Sequence, residues 1–438
     1  MDFYPFLVLL RDTLAFPVAL LFLFVAVFLT IKTRFIQFRA GKKFIQLVTK
    51  GPESHGSDDI ETINPFHALF TSMSTTIGMG NIIAPPLAII TGGPGALFWL
   101  VVYCFFASAT KYVEVTLAVK FRSKAKDGAI LGGPTEYLKK LNPFLGRSYG
   151  FITIFLFAAW AALQANSLGE IFSKHHVPTW ATGVGLAILI FFVLKGGAKR
   201  VGIISSRLVP VMFVIYVSCS LFILLKDPSS LFNSVSLVLS CAFSPAATVG
   251  GFLGATVMAA LRDGVARGVY ITECGIGTSS VAHAVADVKK PTDQGVLALY
   301  SVVADVVLCL VSGLLVLVSG VWRSGRFSNM LMFEVFDHSL PYVGYYILLV
   351  TLFLFVLTTL IGNSFNGGQS YSSFTRHRYM KVYYLTISAA IFFGAIVQVP
   401  IMWTITDLMV FVISVPHLIG ISILAFRYKK SLIFNEKK

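Results

Sequence analysis

The chain has 438 residues, of which 56% are hydrophobic and 13% charged, and its formal net charge is +15. A soluble domain carries about 25% charged residues, so packing in water cannot hide this much apolar surface, whereas a bilayer can. On a soluble chain the same charge would suggest nucleic acid, but here Lys and Arg lie mostly between apolar runs and read as markers of membrane topology, with no nucleic-acid partner implied.

About 20 apolar residues in a helix cross the hydrocarbon core, and these runs are too long and too uniformly apolar for the alternating strands of a barrel. Spans are predicted near 13–31, 66–90, 95–119, 149–171, 179–194, 204–225, 257–286, 294–319, 342–364, 382–399 and 402–425, about eleven transmembrane helices in an all-α polytopic protein. The first apolar run, Phe16 to Ile31, has only Arg11 ahead of it and no A-x-A pattern behind it, which favours a retained helix over a cleaved signal. The stretch 227–256 is predicted as a connection, with 244–256 a short re-entrant or interfacial helix. Cys104, Cys219, Cys241, Cys274 and Cys309 lie in or beside apolar runs without CxxC spacing and read as packing thiols.

Orientation follows from the cations. The connections 32–65, 120–148, 195–207, 289–290 and 376–381 and the C-terminal tail alternate onto one side and hold 27 of the 35 Lys and Arg. That side is read as cytoplasmic, with the N-terminus outside and the C-terminus inside.

Two spans carry the same interruption. Thr75-Thr76-Ile77-Gly78-Met79-Gly80-Asn81 and Thr272-Glu273-Cys274-Gly275-Ile276-Gly277-Thr278 both read T-x-x-G-x-G followed by a small polar residue. With the first span set aside, 66–225 and 257–425 each hold five spans, each opened by one of these segments, and five being odd the halves run in opposite senses. That is the pattern of an inverted-repeat transporter. Unwound backbone in a membrane is tolerated only where protein or a wet cavity satisfies it. Half-helix N-termini offer N–H groups to a carboxylate, and freed carbonyls can ligate a desolvated cation, which makes a site for a zwitterion and its ion. Against this stands close helix packing, which glycines also serve.

At these residues the chain resembles the alanine/glycine:cation symporter family, the sodium:alanine symporters. Asn64-Pro65-Phe66 leads into a GMGN segment where the family has GTGN. Gly92-Gly93-Pro94-Gly95-Ala96 with Phe98-Trp99, Thr110-Lys111-Tyr112 with Glu114, Gly132-Gly133-Pro134 with Tyr137, and Gln164-Ala165-Asn166 are similar to further family stretches. So are the runs 251–258 and 264–268, Thr272 to Gly277 where the family has NEAGLG, and Ala282-His283-Ala284. The similarity runs from about residue 64 to 370 with order and spacing kept.

The resemblance implies a LeuT-type 5+5 inverted repeat with discontinuous first and sixth core helices plus one extra N-terminal helix. It also implies Na⁺ coupling, with H⁺ used in some members, and import of alanine or glycine, with D-alanine accepted by some. Residues 1–63 would be the extra helix and a cytoplasmic loop, 64–226 the first repeat, 227–256 an extracellular connection, 257–425 the second repeat and 426–438 a cytoplasmic tail. The implied location is a bacterial inner membrane. The implied substrate site is Thr76, Gly78, Met79, Gly80, Gln164, Thr272, Cys274, Gly275 and Asn363. The implied Na⁺ ligands are Ser74, Ile77, Thr358 and Thr359, with Asn81 serving a second ion or bracing the loop. Met79, Thr272 and Asn363 depart from the family's Thr, Asn and Trp, which touches substrate identity.

Other polar residues have their own readings. Glu273, ionisable inside a break, is a relay or, by preference, a cap for loose N–H groups. Lys111 and Glu114, three apart on a helix, are read as an ion pair. Arg262, Asp263 and Arg267 form an outer gate or a structural network, and Asp305 and Asp407 receive no role. No GxSxG, HExxH or P-loop lysine motif marks an enzyme or a primary pump. A channel would more often build its filter by oligomeric symmetry. A permease of the same fold for another amino acid or small solute is the nearer alternative.

Overall fold

The structure, a computed structural model, describes residues 3–54, 62–126, 128–243, 257–324, 331–397 and 399–432. In chain order, α1 (Phe3–Lys32), α2 (Ile36–Arg39) and α3 (Gly41–Lys50) precede the pair α4 (Pro65–Thr76) and α5 (Met79–Gly92). Then come α6 (Ala96–Lys120), a small hairpin of β1 (Ser123–Lys124) and β2 (Ile130–Leu131), α7 (Pro134–Leu138), α8 (Pro143–Ser173), α9 (Thr179–Lys195), α10 (Gly197–Leu225) and α11 (Pro228–Phe243). The second half holds α12 (Val257–Thr272), α13 (Ser280–His283), α14 (Pro291–Ser319), a 3-10 turn at Val321–Ser324, α15 (Leu331–Ser339), α16 (Gly344–Thr375), α17 (Met380–Gly394), α18 (Val399–Arg427) and α19 (Lys429–Leu432).

Among the described residues seven helices are long and apolar enough to cross a membrane, and α4 with α5 forms one more span bent by 40°. The shorter apolar helices α9, α11 and α17 and the interrupted α12–α13 segment pack beside these. The stretch 227–256 differs from the sequence expectation, because 228–243 is a 16-residue apolar helix. The expected short helix at 244–256 lies outside the described residues.

Local chemistry starts the helices where the chain must turn. α4 and α8 open with the same Asn-Pro-Phe device. Asn64 and Asn142 each accept the N–H of the Phe two residues on at 2.8 Å, and Pro65 and Pro143 sit at the first helical position, where a missing N–H costs nothing. The two breaks sit at the centre of the packing. α12 lies against α5 and α6, α14 against α5 and α6, and α16 against α4 and α8. Around this core the outer helices turn large apolar side chains outward. Phe24, Phe192, Phe232 and Phe426 are each more than half exposed, as suits a surface solvated by lipid tails.

The cation-rich connections meet at one end. Lys43 pairs with Asp293 at 3.6 Å. Ser54 bonds Asp287, Lys289 N–H donates to Glu53, and Ile63 bridges to Ala286. Arg122 donates to the carbonyls of Ala284 and Ala286, and Lys120 bonds Ser431. So the described parts of 32–65, of the 120–148 loop, of the approach to α14 and of the tail share one face, as alternate connections of one topology should.

Candidate functional site

The first break is a gap of two residues. Ile77 closes α4 by donating its N–H to Met73 O at 2.7 Å, and Gly78 leaves the helix in an extended conformation. The Gly78 N–H then turns to Asn81 Oδ1 at 3.1 Å, while the Asn81 N–H donates to Gly78 O at the same distance. This reciprocal cap starts α5. The carbonyls of Ser74, Thr75, Thr76 and Ile77 form the C-terminal end of α4, where a helix leaves its last carbonyls without intrahelical partners, here at the centre of the molecule. Glycine is required for contact. A Cβ on Gly78 would lie 2.5 Å from Thr359 Oγ1, one on Gly80 2.9 Å from the Tyr270 ring, and one on Gly362 2.4 Å from Ser74 Oγ.

The second break runs over 273–279. Glu273, Gly275 and Gly277 have positive φ, at 54°, 89° and 91°. Side chains from α6, α8 and α18 hold its main chain and that of the last residue of α12. Tyr103 donates to Cys274 O at 2.8 Å, Lys111 to Thr272 O at 3.3 Å and Tyr149 to Ile276 O at 2.7 Å. Glu114 accepts the Gly275 N–H at 2.8 Å. His417 Nδ1 lies 2.7 Å from Gly275 O, which can only accept, so Nδ1 carries the proton and Nε2 accepts from Tyr137 OH at 2.6 Å. Glu273 receives the Thr278 hydroxyl across the break at 2.5 Å. Lys111 and Glu114 are therefore not the ion pair expected from their spacing. Each reaches a different main-chain group of the break.

The two breaks meet. Ser72 donates to Ser279 O at 2.9 Å, and a cavity of about 30 Å³ lies between them. It is room for about two waters. From the first break it is lined by Thr75, Thr76, Gly78, Gly80 and Asn81, and from the second by Tyr270, Ile271 and Glu273. Trp160 and Gln164 on α8, and Thr359 and Asn363 on α16, close it. Each of these pairs is four residues apart and shares a helix face. Four buried polar atoms of this wall have no hydrogen-bond partner in the protein: Trp160 Nε1, Asn81 Nδ2, Gln164 Oε1 and Asn363 Oδ1. Two donate and two accept.

Of the residues expected at a substrate site, Thr76, Gly78, Gly80, Gln164 and Asn363 line this cavity, and Met79, Thr272, Cys274 and Gly275 do not. Thr272 donates back to Gly268 O at 2.7 Å, and Gly275 faces Phe22 and Leu418. Of the expected ion ligands, Ser74 and Ile77 lie at the end of α4, and Thr359 touches Gly78. Thr358 points instead to Met212 on α10, 3.3 Å from its sulfur. Trp160 and Tyr270 were not singled out from sequence. Trp160 precedes Gln164 by one helical turn, a usable signal, while nothing local marks Tyr270.

A second cavity of about 360 Å³ lies among α1, α12 and α18, and its wall includes Arg11, Asp12, Arg262, Asp263, Arg267 and Asp407. Tyr270 lines both cavities and so forms the partition between them. Arg262 is engaged with its neighbour Asp263 at 2.6 Å.

Comparison with known proteins finds relatives over nearly the whole chain. The model of the sodium:alanine symporter family matches residues 6–436. An uncharacterized transporter of Bacillus subtilis is 35% identical over 94% of this chain and 89% of its own. A sodium/alanine symporter of Methanococcus maripaludis is 30% identical over 91% and 89%. A probable sodium/glutamine symporter of Bacillus subtilis is 29% identical over 91% and 83%. The crystal structure of MhsT in complex with L-phenylalanine superposes with a TM-score of 0.61, covering 86% of this chain and 90% of that one at 14% identity. That likeness shows the fold, which is LeuT-type.

Proposed function

Since this chain belongs to the sodium:alanine symporter family, and is thus a cation-coupled amino acid transporter rather than an enzyme, we propose that it imports a small neutral amino acid, alanine or glycine, on a Na⁺ gradient by alternating access. The observation that carries this reading is the set of unpartnered donors and acceptors around a small cavity at the first break. Buried polar groups without partners are costly, and a zwitterion supplies both missing halves. Its carboxylate meets the N-terminus of α5 with the Asn81 amide and the Trp160 N–H. Its ammonium meets the Gln164 and Asn363 oxygens. The small volume favours a side chain no larger than a methyl group.

Na⁺ in this reading lies between the end of α4 and α16, on the freed carbonyls of Ser74 and Ile77 and the Thr359 hydroxyl. The N-terminus faces outside and the C-terminus the cytoplasm, because the face that gathers the cationic connections is the inner one. The larger cavity is then the outer vestibule, and Tyr270 must move for substrate to pass. The repeats span 64–226 and 257–425, with the first helix outside them.

The test is uptake by proteoliposomes of labelled alanine, glycine, D-alanine and glutamine, with Na⁺ and H⁺ gradients imposed separately. Saturable, concentrative uptake of alanine or glycine on the Na⁺ gradient alone is expected. Preference for glutamine would move the chain toward the relative named for it. Uptake on the H⁺ gradient alone would remove Na⁺, and unsaturable flux would make the protein a channel.

A further inference from the structure

The short helix α3 carries three different surfaces. Arg34 and Phe35, both left-handed with φ of 58° and 55°, turn the chain where the apolar span of α1 ends, and α2 and α3 follow. On α3, Lys43, Phe44 and Leu47 face the protein. Lys43 pairs with Asp293 in the first turn of α14 at 3.6 Å, the Phe44 ring centre lies 4.4 Å from that of Tyr300, and Leu47 is buried. Ile45 and Val48, three apart and so on one face, are each more than half exposed. Lys42, Gln46 and Lys50, spaced by four, form the remaining face and are exposed as well.

A bare apolar face beside a cationic one suits a helix lying at the boundary between acyl chains and headgroups. Phe38 on α2 continues the apolar strip. It is more than half exposed, and its ring centre lies 5.6 Å from that of Phe105 on α6, one of the spanning helices. The strip therefore runs on into surface that faces lipid. Charge names the lipid. Residues 32–50 hold six Lys and Arg and no Asp or Glu, a juxtamembrane cluster complementary to anionic headgroups.

We propose that α2 and α3 bind anionic phospholipid, with Phe38, Ile45 and Val48 among the acyl chains and Lys42 and Lys50 on the headgroup phosphates, and that this contact steadies the start of α14. The protein side of α3 grips α14 through Asp293 and Tyr300. α14 in turn packs against α5, whose first residues line the small cavity. Lipid binding at α3 is independent of the transport reading above, whereas its effect on uptake rests on that reading.

Purified full-length protein in neutral detergent is titrated with phosphatidylglycerol or phosphatidylcholine, and the thermal unfolding midpoint is read. Wild type is expected to rise with phosphatidylglycerol and much less with phosphatidylcholine. In Lys42→Gln/Lys50→Gln the phosphatidylglycerol concentration for half the rise is expected to increase about tenfold or more, the scale of two lost surface cations, with the lipid-free midpoint unchanged. Lys195→Gln/Lys199→Gln removes two exposed cations from a different connection and is expected to titrate as wild type. Equal responses to the two lipids, an unshifted Lys42→Gln/Lys50→Gln, or an equal shift in the Lys195→Gln/Lys199→Gln control overturns the site. Ile45→Ser/Val48→Ser is expected to weaken the response too; if that change instead converts a dimer to a monomer, the apolar face belongs to a second copy and the lipid site falls. In proteoliposomes, wild-type alanine uptake is expected to rise with the phosphatidylglycerol fraction, and that of Lys42→Gln/Lys50→Gln to rise far less. Uptake indifferent to phosphatidylglycerol while the midpoint responds overturns the link to α14 alone. A midpoint that responds in a protein transporting no amino acid overturns the transport reading and leaves the lipid site standing.

Discussion

The two breaks begin from nearly the same seven-residue pattern and end in opposite conditions. The first, at 77–78, is short, keeps its residues at negative φ, and sets Thr75, Thr76, Gly78, Gly80 and Asn81 around a cavity with several side-chain groups unpartnered. The second, over 273–279, needs three positive-φ residues and has its main chain bonded by Tyr103, Lys111, Glu114, Tyr149 and His417. Backbone that is already satisfied offers little to a ligand. In the proposed function the first break is therefore the one that binds, and the second the one that is held, contributing Tyr270, Ile271 and Glu273 to the cavity from its rim.

Substitution at glycine should separate these roles most sharply. At Gly277, φ is 91° and a Cβ would lie 2.7 Å from both the His417 ring and Pro134. Left-handed backbone and a clash with a locked neighbour together cost several kcal/mol, so Gly277→Val is expected to yield no monodisperse protein by size-exclusion chromatography. At Gly80 the atoms a Cβ would meet first are those of the Tyr270 ring, a side chain of the cavity wall and not main chain. Gly80→Leu is expected to fold, with an unfolding midpoint near wild type, and to lose uptake by about 100-fold or more, since it fills the cavity the substrate needs. Folded, active Gly277→Val together with misfolded Gly80→Leu would invert the comparison.

Much of this was legible in the sequence, and the remainder was not for a consistent reason. Hydropathy and cation placement are properties of single segments, so the spans and the grouping of connections could be read directly. Glycine pairs flanked by polar residues mark the breaks for the same reason. What a segment's neighbours do is not written in it. Thr358 and Thr359 are adjacent in sequence but about 100° apart around α16, and only the position of α10 sends Thr358 toward Met212. Lys111 and Glu114 have ion-pair spacing, yet each is drawn to a main-chain group 161 residues away. The 16 residues of α11 are as long as the expected span 179–194, but they lie between the two five-span halves, where the repeat pattern left room only for a connection.

Thr359→Ala tests the ion side of the open break. The hydroxyl touches Gly78 and is otherwise bonded only to Phe355 O at 2.8 Å, so its removal leaves no buried group stranded. The Na⁺ concentration for half-maximal uptake is expected to rise about fivefold, a loss of about 1 kcal/mol, with the unfolding midpoint unchanged. An unaltered sodium titration would take the ion away from the end of α4.

The smallest effect is the most direct probe of the held break. Tyr149 OH donates to Ile276 O at 2.7 Å from a fully enclosed position. Phenylalanine keeps the ring and its packing and removes one donor, leaving one carbonyl unsatisfied at a cost of about 1–3 kcal/mol. Because neither Tyr149 nor Ile276 lines the cavity, this cost falls on the folded state and not on the complex with substrate. Tyr149→Phe is therefore expected to lower the unfolding midpoint by a few degrees while the alanine concentration for half-maximal uptake stays within about twofold of wild type. A normal midpoint with weakened alanine uptake would mean that the main chain of 273–279 meets the substrate after all, and that its bonds to the surrounding side chains are exchanged during transport.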